Sequence, residues 1–359
     1  MSNNKKDGMN YMPQAKAEHV VAEGTFCVAA VRLDHGHIYA MVAGLVNAGA
    51  TLTWVYDPDP AKIDVFLEKF PDAQVAQSEQ QVLADDEIKL VATACIPSDR
   101  APLGIRVMEA DKDYFVDKTP LVSLEQLEAV KEACARTGRK YAVSYSERIS
   151  SEAAVYAGQL IAKGTIGKVV QVMGMGPHRL AADTRPAWFF EKEKYGGILC
   201  DIGSHQIEQF LYYTGAEDAT VVNSNVANYH HPEYPELEDF GEANIVGVNG
   251  TSGYFRVDWL NPDGLSTWGD GRTFILGTEG YIELRKYLNV ATDTRESHVF
   301  WVDAEGEHYE CVEGKVGYPF FGELILDCVN RTEHAMTQEH AFKAVELCIK
   351  AQMLARKLS

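Results

Sequence analysis

The sequence predicts an α/β protein in two parts: a parallel-sheet domain, then an α+β domain with an open, mainly antiparallel sheet. Three observations carry that reading. At 359 residues, 46% of them hydrophobic, the chain exceeds what one core usually holds and can fill two. From Phe26 to about Tyr145, short apolar runs alternate with helical patterns, the signature of parallel strands joined by crossover helices. After Ser150, strand-like runs lie next to one another with turn residues between them, which suits hairpins. The expected boundaries are a polar arm over 1–25, a first domain over 26–148 and a second over 149–359, whose last helices pack back towards the first.

In the first domain the strands are "FCVAAVRL", "TLTWVY", "IKLVATAC", "DYFVDK" and "KYAVSY", short apolar runs of the kind buried parallel strands need. The helix in "TPLVSLEQLEAVKEACARTG" has defined ends: Ser123 with Gln126 makes a capping-box pattern, and Gly138 stands just past the last turn. The second domain opens with a helix in "SEAAVYAGQLIAKGTIG", a strand in "KVVQVMGMG" and a helix in "GGILCDIGSHQIEQFLYYTG" that starts at paired glycines. Then come "TVVNSNVANY", "ANIVGVNG", "SGYFRVDWL", "RTFILGTEGYIELR", "HVFWVDAEG" and "EHYECVEG". Within the fourth, "TEG" predicts a tight turn with Gly280 at positive φ. Helices around 320–330 and 338–357 close the chain.

The composition narrows the partners. With 33 Lys and Arg against 52 Asp and Glu, the net charge of −19 opposes nucleic-acid backbones and anionic membrane surfaces. No stretch approaches a membrane span, and the opening "MSNNKKDGMNYMPQAKAEH" has no apolar core of a signal peptide. The seven cysteines lie scattered, several within apolar runs, which reads as buried thiols in a reducing, cytoplasmic compartment.

"CVAAVRLDHGHIYAM" runs from a strand straight into a helical pattern, where a nucleotide-binding turn belongs. Such a turn normally reads G-x-G-x-x-G, so that backbone N–H groups and a helix N-terminus approach a pyrophosphate. Here Arg32, Asp34 and His37 take the three glycine places, and only Gly36 remains inside. The turn is followed after about twenty residues by Asp57 in "VYDPDP", the spacing of an acid that accepts from the adenosine ribose and repels a 2′-phosphate. Asp57 equally suits the cap of the helix in "DPAKIDVFLEKF". His35 and His37 read as surface or capping residues as readily as phosphate ligands, and Arg32 either contacts the phosphates or crowds the turn.

Two later stretches decide between these. "YFVDKTPLVSLEQ" puts Asp117, Lys118, Thr119 and Pro120 at the end of an apolar strand, so that Lys118 points into the crevice where such sheets bind cofactors. "YGGILCDIGSHQIEQF" puts Asp201 and His205 one helical turn apart, with Gly196 and Gly197 allowing the backbone close to a ligand. The bland reading is an N-terminal carboxylate and a helix-face histidine. Zinc needs three or four ligands, and no third candidate lies near this pair in sequence; His230 and His231 fall in a Pro-rich loop. No metal is expected.

Together these stretches resemble the glucose–fructose oxidoreductase and inositol dehydrogenase family, the Gfo/Idh/MocA oxidoreductases. The likeness spans nearly all the chain after the arm. The family's Glu-Lys-Pro is matched by "DKTP", with Asp117 for the glutamate and Thr119 inserted; its G-G-x-x-x-D-x-G-x-H-x-x-D is matched by "GGILCDIGSHQIEQ", with Glu208 for the last aspartate. The resemblance implies a Rossmann-like first domain with NAD, rather than NADP, held by Leu33, Asp34, His35, Gly36, His37, Asp57, Ile96, Pro97, Asp117, Lys118 and Tyr145. It implies catalysis by Lys118, Asp201 and His205, with Arg148, His178 and Trp188 lining a pocket for a sugar, inositol or related polyol. Trp188 and Phe189 suit stacking on a sugar face or core packing alike; Arg185 precedes the catalytic helix, and Tyr318 and Phe320 read as structural. The implied reaction is hydride exchange between NAD and a secondary alcohol. The rivals are redox-neutral glycoside cleavage with tightly held NAD and a non-catalytic NAD(H) sensor. An antiparallel sheet with an apolar outer face further predicts a homodimer or homotetramer through that face.

Overall fold

The computed structural model describes residues 8–13 and 18–358; of the expected arm over 1–25, residues 1–7 and 14–17 lie outside the described ones. By contacts the chain divides into two compact units. Met9–Ser144 and Tyr318–Ala341 make one; Tyr145–Gly317 with the stretch from Phe342 onward makes the other.

In the first unit the order is β1 (Cys27–Val31), α1 (His37–Asn47), β2 (Thr51–Tyr56), α2 (Pro60–Leu67), β3 (Gln74–Val75), α3 (Glu79–Ala84), β4 (Ile88–Thr93), α4 (Pro97–Glu109), β5 (Asp113–Asp117), α5 (Leu124–Thr137) and β6 (Tyr141–Ser144). All six strands are parallel, in the order β3-β2-β1-β4-β5-β6. That order reverses direction between β1 and β4, the switch point at which doubly wound sheets open a crevice at their strand ends. β5 is buried at every position and β1 at all but Cys27, which is why these strands are apolar runs without alternation. Ser123 caps α5 by accepting from the Gln126 N–H at 3.2 Å, and Gly138 closes it at φ 67°, as expected. The Gln126 side chain returns to the Val122 N–H, one residue earlier than a strict capping box.

The second unit holds α6 (Ser146–Ile149), α7 (Glu152–Ala162), β7 (Val169–Pro177), α8 (Lys192–Tyr195), α9 (Ile198–Asp201), α10 (Gly203–Thr214), β8 (Ala219–Ala227), β9 (Phe240–Gly247), β10 (Ser252–Asp258), β11 (Arg272–Gly277), β12 (Tyr281–Arg285), β13 (His298–Asp303) and β14 (Gly306–Cys311). α11 (Pro319–Asn330) belongs to the first unit, where Phe320 and Phe321 meet Phe115 of β5. α12 (Gln338–Leu354) and the short β15 (Arg356–Lys357) end the chain. Nine strands form one sheet, β14-β13-β12-β11-β7-β10-β9-β8-β15, antiparallel except where β7 meets β10 and β8 meets β15. β9, β10 and β11 alternate between buried and partly exposed positions, as a sheet covered on one face must. The inner face is covered by α10, in which all residues from Gly203 to Leu211 are buried.

Two local expectations need correction. The helix from the paired glycines is broken at Ile202 into α9 and α10. Gly280 does not adopt positive φ; it closes the β11–β12 turn because a Cβ there would sit 2.1 Å from the Val302 carbonyl oxygen. Among the described residues, all seven cysteines are free thiols, and no helix is long and apolar enough to cross a membrane.

Candidate functional site

The first unit gathers its expected residues at the carboxyl ends of β1, β2, β4 and β5. Arg32 takes the left-handed conformation at φ 61°, its N–H bonds the Tyr56 carbonyl at 2.8 Å, and its guanidinium turns outward to Glu79 at 3.6 Å. Asp57 is buried and holds the turn to the end of β2: one carboxylate oxygen accepts from the Leu33 N–H at 2.7 Å, the other from the Asp59 N–H at 2.8 Å. Asp59, rather than Asp57, caps α2, accepting from the Ala61 N–H. Asp34 is paired with Lys62, which cancels a charge that would repel phosphate. Gly36 leaves room for the chain itself: a Cβ there would lie 2.4 Å from the Met9 carbonyl oxygen and 2.6 Å from the Asn10 side chain.

Asp117 and Lys118 sit at the end of β5, both buried. The Asp117 carboxylate is 2.9 Å from His37 Nδ1 and 3.5 Å from His35 Nδ1, and Arg100 donates to it at 3.2 Å. Burial alone would raise its pKa, but the positive charge at His37 and Arg100 overrides this and holds it well below the ordinary carboxylate range. Arg100, at 1% exposure, also donates to the carbonyls of Cys95, Asp117, Lys118 and Thr119, fixing the backbone that presents Lys118. His35, His37 and Asp117 have ligand-type atoms within 4.8 Å of one another, a grouping no spacing in the sequence announces. The Arg100 guanidinium places a fixed positive charge there, which suits an anion better than a metal ion. Ile96 and Pro97 open α4 beside this cluster.

In the second unit Asp201 ends α9 and His205 lies in the first turn of α10, both buried. The paired glycines serve the fold: Gly196 and Gly197 have φ 89° and 92°, and a Cβ on Gly197 would sit 2.3 Å from Gln352, which accepts from the Leu199 N–H and donates to Glu238. The space expected for a ligand is thus filled by α12. Arg148 is paired with Glu208 at 2.5 Å and lies 4.2 Å over the Tyr212 ring, so the residue replacing the family's last aspartate has a partner of its own. His178 packs at a tilt against Trp268, ring centroids 4.5 Å apart, and bonds the Gly176 carbonyl through Nδ1. Trp188 is buried against Phe189, and Arg185 lies 4.7 Å over the Phe189 ring, an aromatic cluster that Trp259 continues. His231 bonds Asp239, confirming a structural loop. Tyr145, fully buried, is the first residue after β6.

Sequence reasoning passed over Glu147 and Lys286. Glu147, one residue before Arg148, accepts from Lys286 at 2.8 Å and from Gln206 at 3.0 Å, and its other oxygen faces His178 at 3.7 Å. The polar run "SYSER" was a faint pointer to Glu147; nothing local marks Lys286 in "ELRK".

Comparison with known proteins identifies the family. The profile of an oxidoreductase family with an NAD-binding Rossmann fold matches residues 35–145, and that of the GFO/IDH/MocA C-terminal domain matches residues 155–283. The chain belongs to the Gfo/Idh/MocA oxidoreductase family. Scyllo-inositol 2-dehydrogenase (NAD(+)) of Bacillus subtilis (strain 168) is 26% identical over 287 residues, 78% of this chain and 77% of that one. The NADP(+)-dependent scyllo-inositol 2-dehydrogenase IolW of the same organism is 23% identical over 185 residues, 51% of each chain. A crystal structure from Erwinia carotovora atroseptica SCRI1043, described only in general terms as an oxidoreductase, superposes with a TM-score of 0.90 at 51% identity, over 93% of this chain and 100% of that one. Family membership makes this protein an oxidoreductase with a Rossmann-type NAD-binding domain.

Proposed function

We propose that the protein is an NAD-dependent dehydrogenase or reductase that exchanges hydride with a secondary alcohol or ketone of a sugar, inositol or related polyol. The observation that carries the reading is that Asp201 at the end of α9 and His205 in the first turn of α10 are both buried, in a family whose curated relatives include inositol dehydrogenases. The donor set of the first unit fits a dinucleotide. The N-terminus of α1 offers partial positive charge, and His35 and His37 offer ring nitrogens, for a pyrophosphate in place of the missing glycines, and Asp34 is neutralised by Lys62. The carboxylates of Asp57 and Asp59 after β2 disfavour a 2′-phosphate, which supports NAD over NADP.

NAD, when bound, supplies the two-electron acceptor. His205 takes the hydroxyl proton of the substrate as general base, a role an imidazole can fill near neutral pH. Lys118, at the end of β5, is the cation suited to stabilising negative charge that develops on a substrate oxygen. Asp201 orients substrate hydroxyls and the imidazole. His178, Arg148 and Trp188 belong to the substrate side, with Arg148 acting through Glu208. The outer sheet face carries Met173, Val246, Leu276, Tyr281 and Tyr309, all at least 40% exposed, which supports a homodimer or homotetramer built on that face. The free thiols support a reducing compartment, the cytoplasm.

A panel of sugars, inositols and their keto forms with NAD(H) and NADP(H), followed by nicotinamide absorbance, tests the reading. Stoichiometric NADH formation is expected with at least one polyol. Product formed without net NADH would instead establish the redox-neutral reaction, and tight NADH binding without turnover the sensor.

A further inference from the structure

The second unit buries an ion pair that the proposed chemistry leaves unused, and a histidine faces it. Glu147 of α6 and Lys286, just past β12, are 2% and 1% exposed, and the ammonium bonds Glu147 Oε2 at 2.8 Å. Opposite charges that lose water together offset part of each other's desolvation, so each is tolerated here. Gln206 of α10 donates to the same carboxylate oxygen at 3.0 Å. It reaches there past Gly174 and Gly176 of β7, where a Cβ would stand 2.1 Å and 2.9 Å from its amide. Oε2 therefore has two donors. Oε1 is buried with none among the described residues, and His178 Nε2 lies 3.7 Å from it.

The His178 ring is fixed at its other nitrogen. Nδ1 is 3.0 Å from the Gly176 carbonyl oxygen, which only accepts, so Nδ1 carries a hydrogen. A neutral imidazole has one N–H, and with that one spent on Gly176 its Nε2 lone pair would face a carboxylate. A second proton, on Nε2, turns that repulsion into an ion pair. Water has little access to screen it: His178 is 8% exposed, and the Trp268 and Trp259 rings stand 4.5 Å and 5.4 Å from its own.

We propose that Glu147 is a positioning residue that holds His178 as an imidazolium, a hydrogen-bond donor at both ring nitrogens. The inference rests on the reading of His178 as part of the substrate side. An imidazolium gives hydrogen to an oxygen but has no lone pair with which to withdraw a proton, so His178 binds and the base's work falls to His205. Burial would raise the Glu147 carboxyl, but Lys286, His205 and His178 outweigh it and bring its pKa down to about 2, so the anion persists through the working range.

The other charged groups around His178 have partners of their own. Asp258, whose carbonyl accepts from the His178 N–H at 2.7 Å, pairs its carboxylate with Arg256. Asp270, next to the bridge between His178 and Gly269, pairs with Arg272. Arg179 donates to the Pro262 and Leu265 carbonyls, and Arg185 lies over the Phe189 and Trp259 rings. α10 brings Gln206 and His205, and Asp201 ends α9. Lys286 opposes a cation at His178, but it binds the far oxygen of the carboxylate whose near oxygen faces the imidazole.

The test is a histidine NMR titration of the isotope-labelled full chain, with the His178 signals assigned by their loss in His178→Gln. The His178 midpoint should lie at least about one pH unit above the ordinary histidine value of about 6.5, with both ring nitrogens protonated at neutral pH. Glu147→Gln should lower that midpoint by about one unit or more and strip the hydrogen from Nε2 at neutral pH, while Nδ1 keeps its own. Glu147→Asp, which keeps the charge, should retain part of the rise. If Glu147→Gln does not fold, the double variant with Lys286→Met, which leaves neither ion of the pair unmatched, should show the same fall. A native midpoint at or below about 6.5, or equal midpoints in the native chain and the charge-removing variants, overturns the proposal and leaves the pair purely structural. The titration needs no turnover. A polyol panel that fails while the midpoints move would count against the assigned reaction alone.

Discussion

Each unit contains a buried carboxylate with ring nitrogens or an amide beside it and one buried cation matched to it, Asp117 in the first and Glu147 in the second, yet the two are braced differently. Asp117 ends β5, and its cation, Arg100, also binds four backbone carbonyls. Glu147 lies in the short helix α6, and its cation, Lys286, has that carboxylate as its acidic partner. A planar guanidinium with five donors can clamp a whole strand end, whereas an ammonium is a point charge. The contrast teaches that Arg100 fixes a strand end as well as matching a charge, whereas Lys286 matches a charge from another element.

The largest way to sharpen this comparison is catalytic. Lys118→Ala and His205→Ala should each abolish NAD-dependent turnover while circular dichroism stays native; activity retained in both would remove the assignment. Next comes stability. Arg100→Met strands Asp117 and several carbonyls, and should cost about 5 kcal/mol or more by denaturant titration. Lys286→Met should cost less, about 3 kcal/mol, and Glu147→Gln added to it should recover part of the loss. Equal losses for Arg100→Met and Lys286→Met would erase the distinction drawn here.

Acid gives a smaller effect with a defined sign. Both carboxylates have lower pKa values folded than unfolded, so the stability they contribute is fully present above the unfolded value near 4 and is lost as pH falls through the folded value. For Glu147 that window runs down to about 2. The melting temperature of the Glu147→Gln, Lys286→Met double variant should therefore fall less steeply than that of the natural chain between about pH 5 and about pH 2. The smallest effect concerns the outer sheet face. Met173→Glu should leave each unit folded and shift sedimentation towards the monomer, and an unchanged assembly would locate the interface elsewhere.

Much of the architecture was legible in the residues. Runs such as "IKLVATAC" and "DYFVDK" lack alternation because both faces are covered, and "SGYFRVDWL" alternates because one face is open, so patterning separated the two sheets. Ser123 and Gly138 marked α5 because caps act within one turn of chain. The motif residues Asp117, Lys118, Asp201 and His205 stood out in the sequence because the members of each pair are close along the chain. Roles that depend on another segment were misjudged. Gly197 is small to admit Gln352, which lies 155 positions further on, and Gly36 is small to admit Met9.

By itself, then, the sequence determined the two sheets, the ends of α5 and the short motifs, because periodicity and capping are local. Tertiary structure alone decided what each buried charge is matched with: Asp117 with Arg100 and the two imidazoles, Asp57 with the turn N–H groups, Glu147 with Lys286. A buried charge must be balanced by whatever segment the fold brings within a few ångströms, and no spacing along the chain encodes that distance.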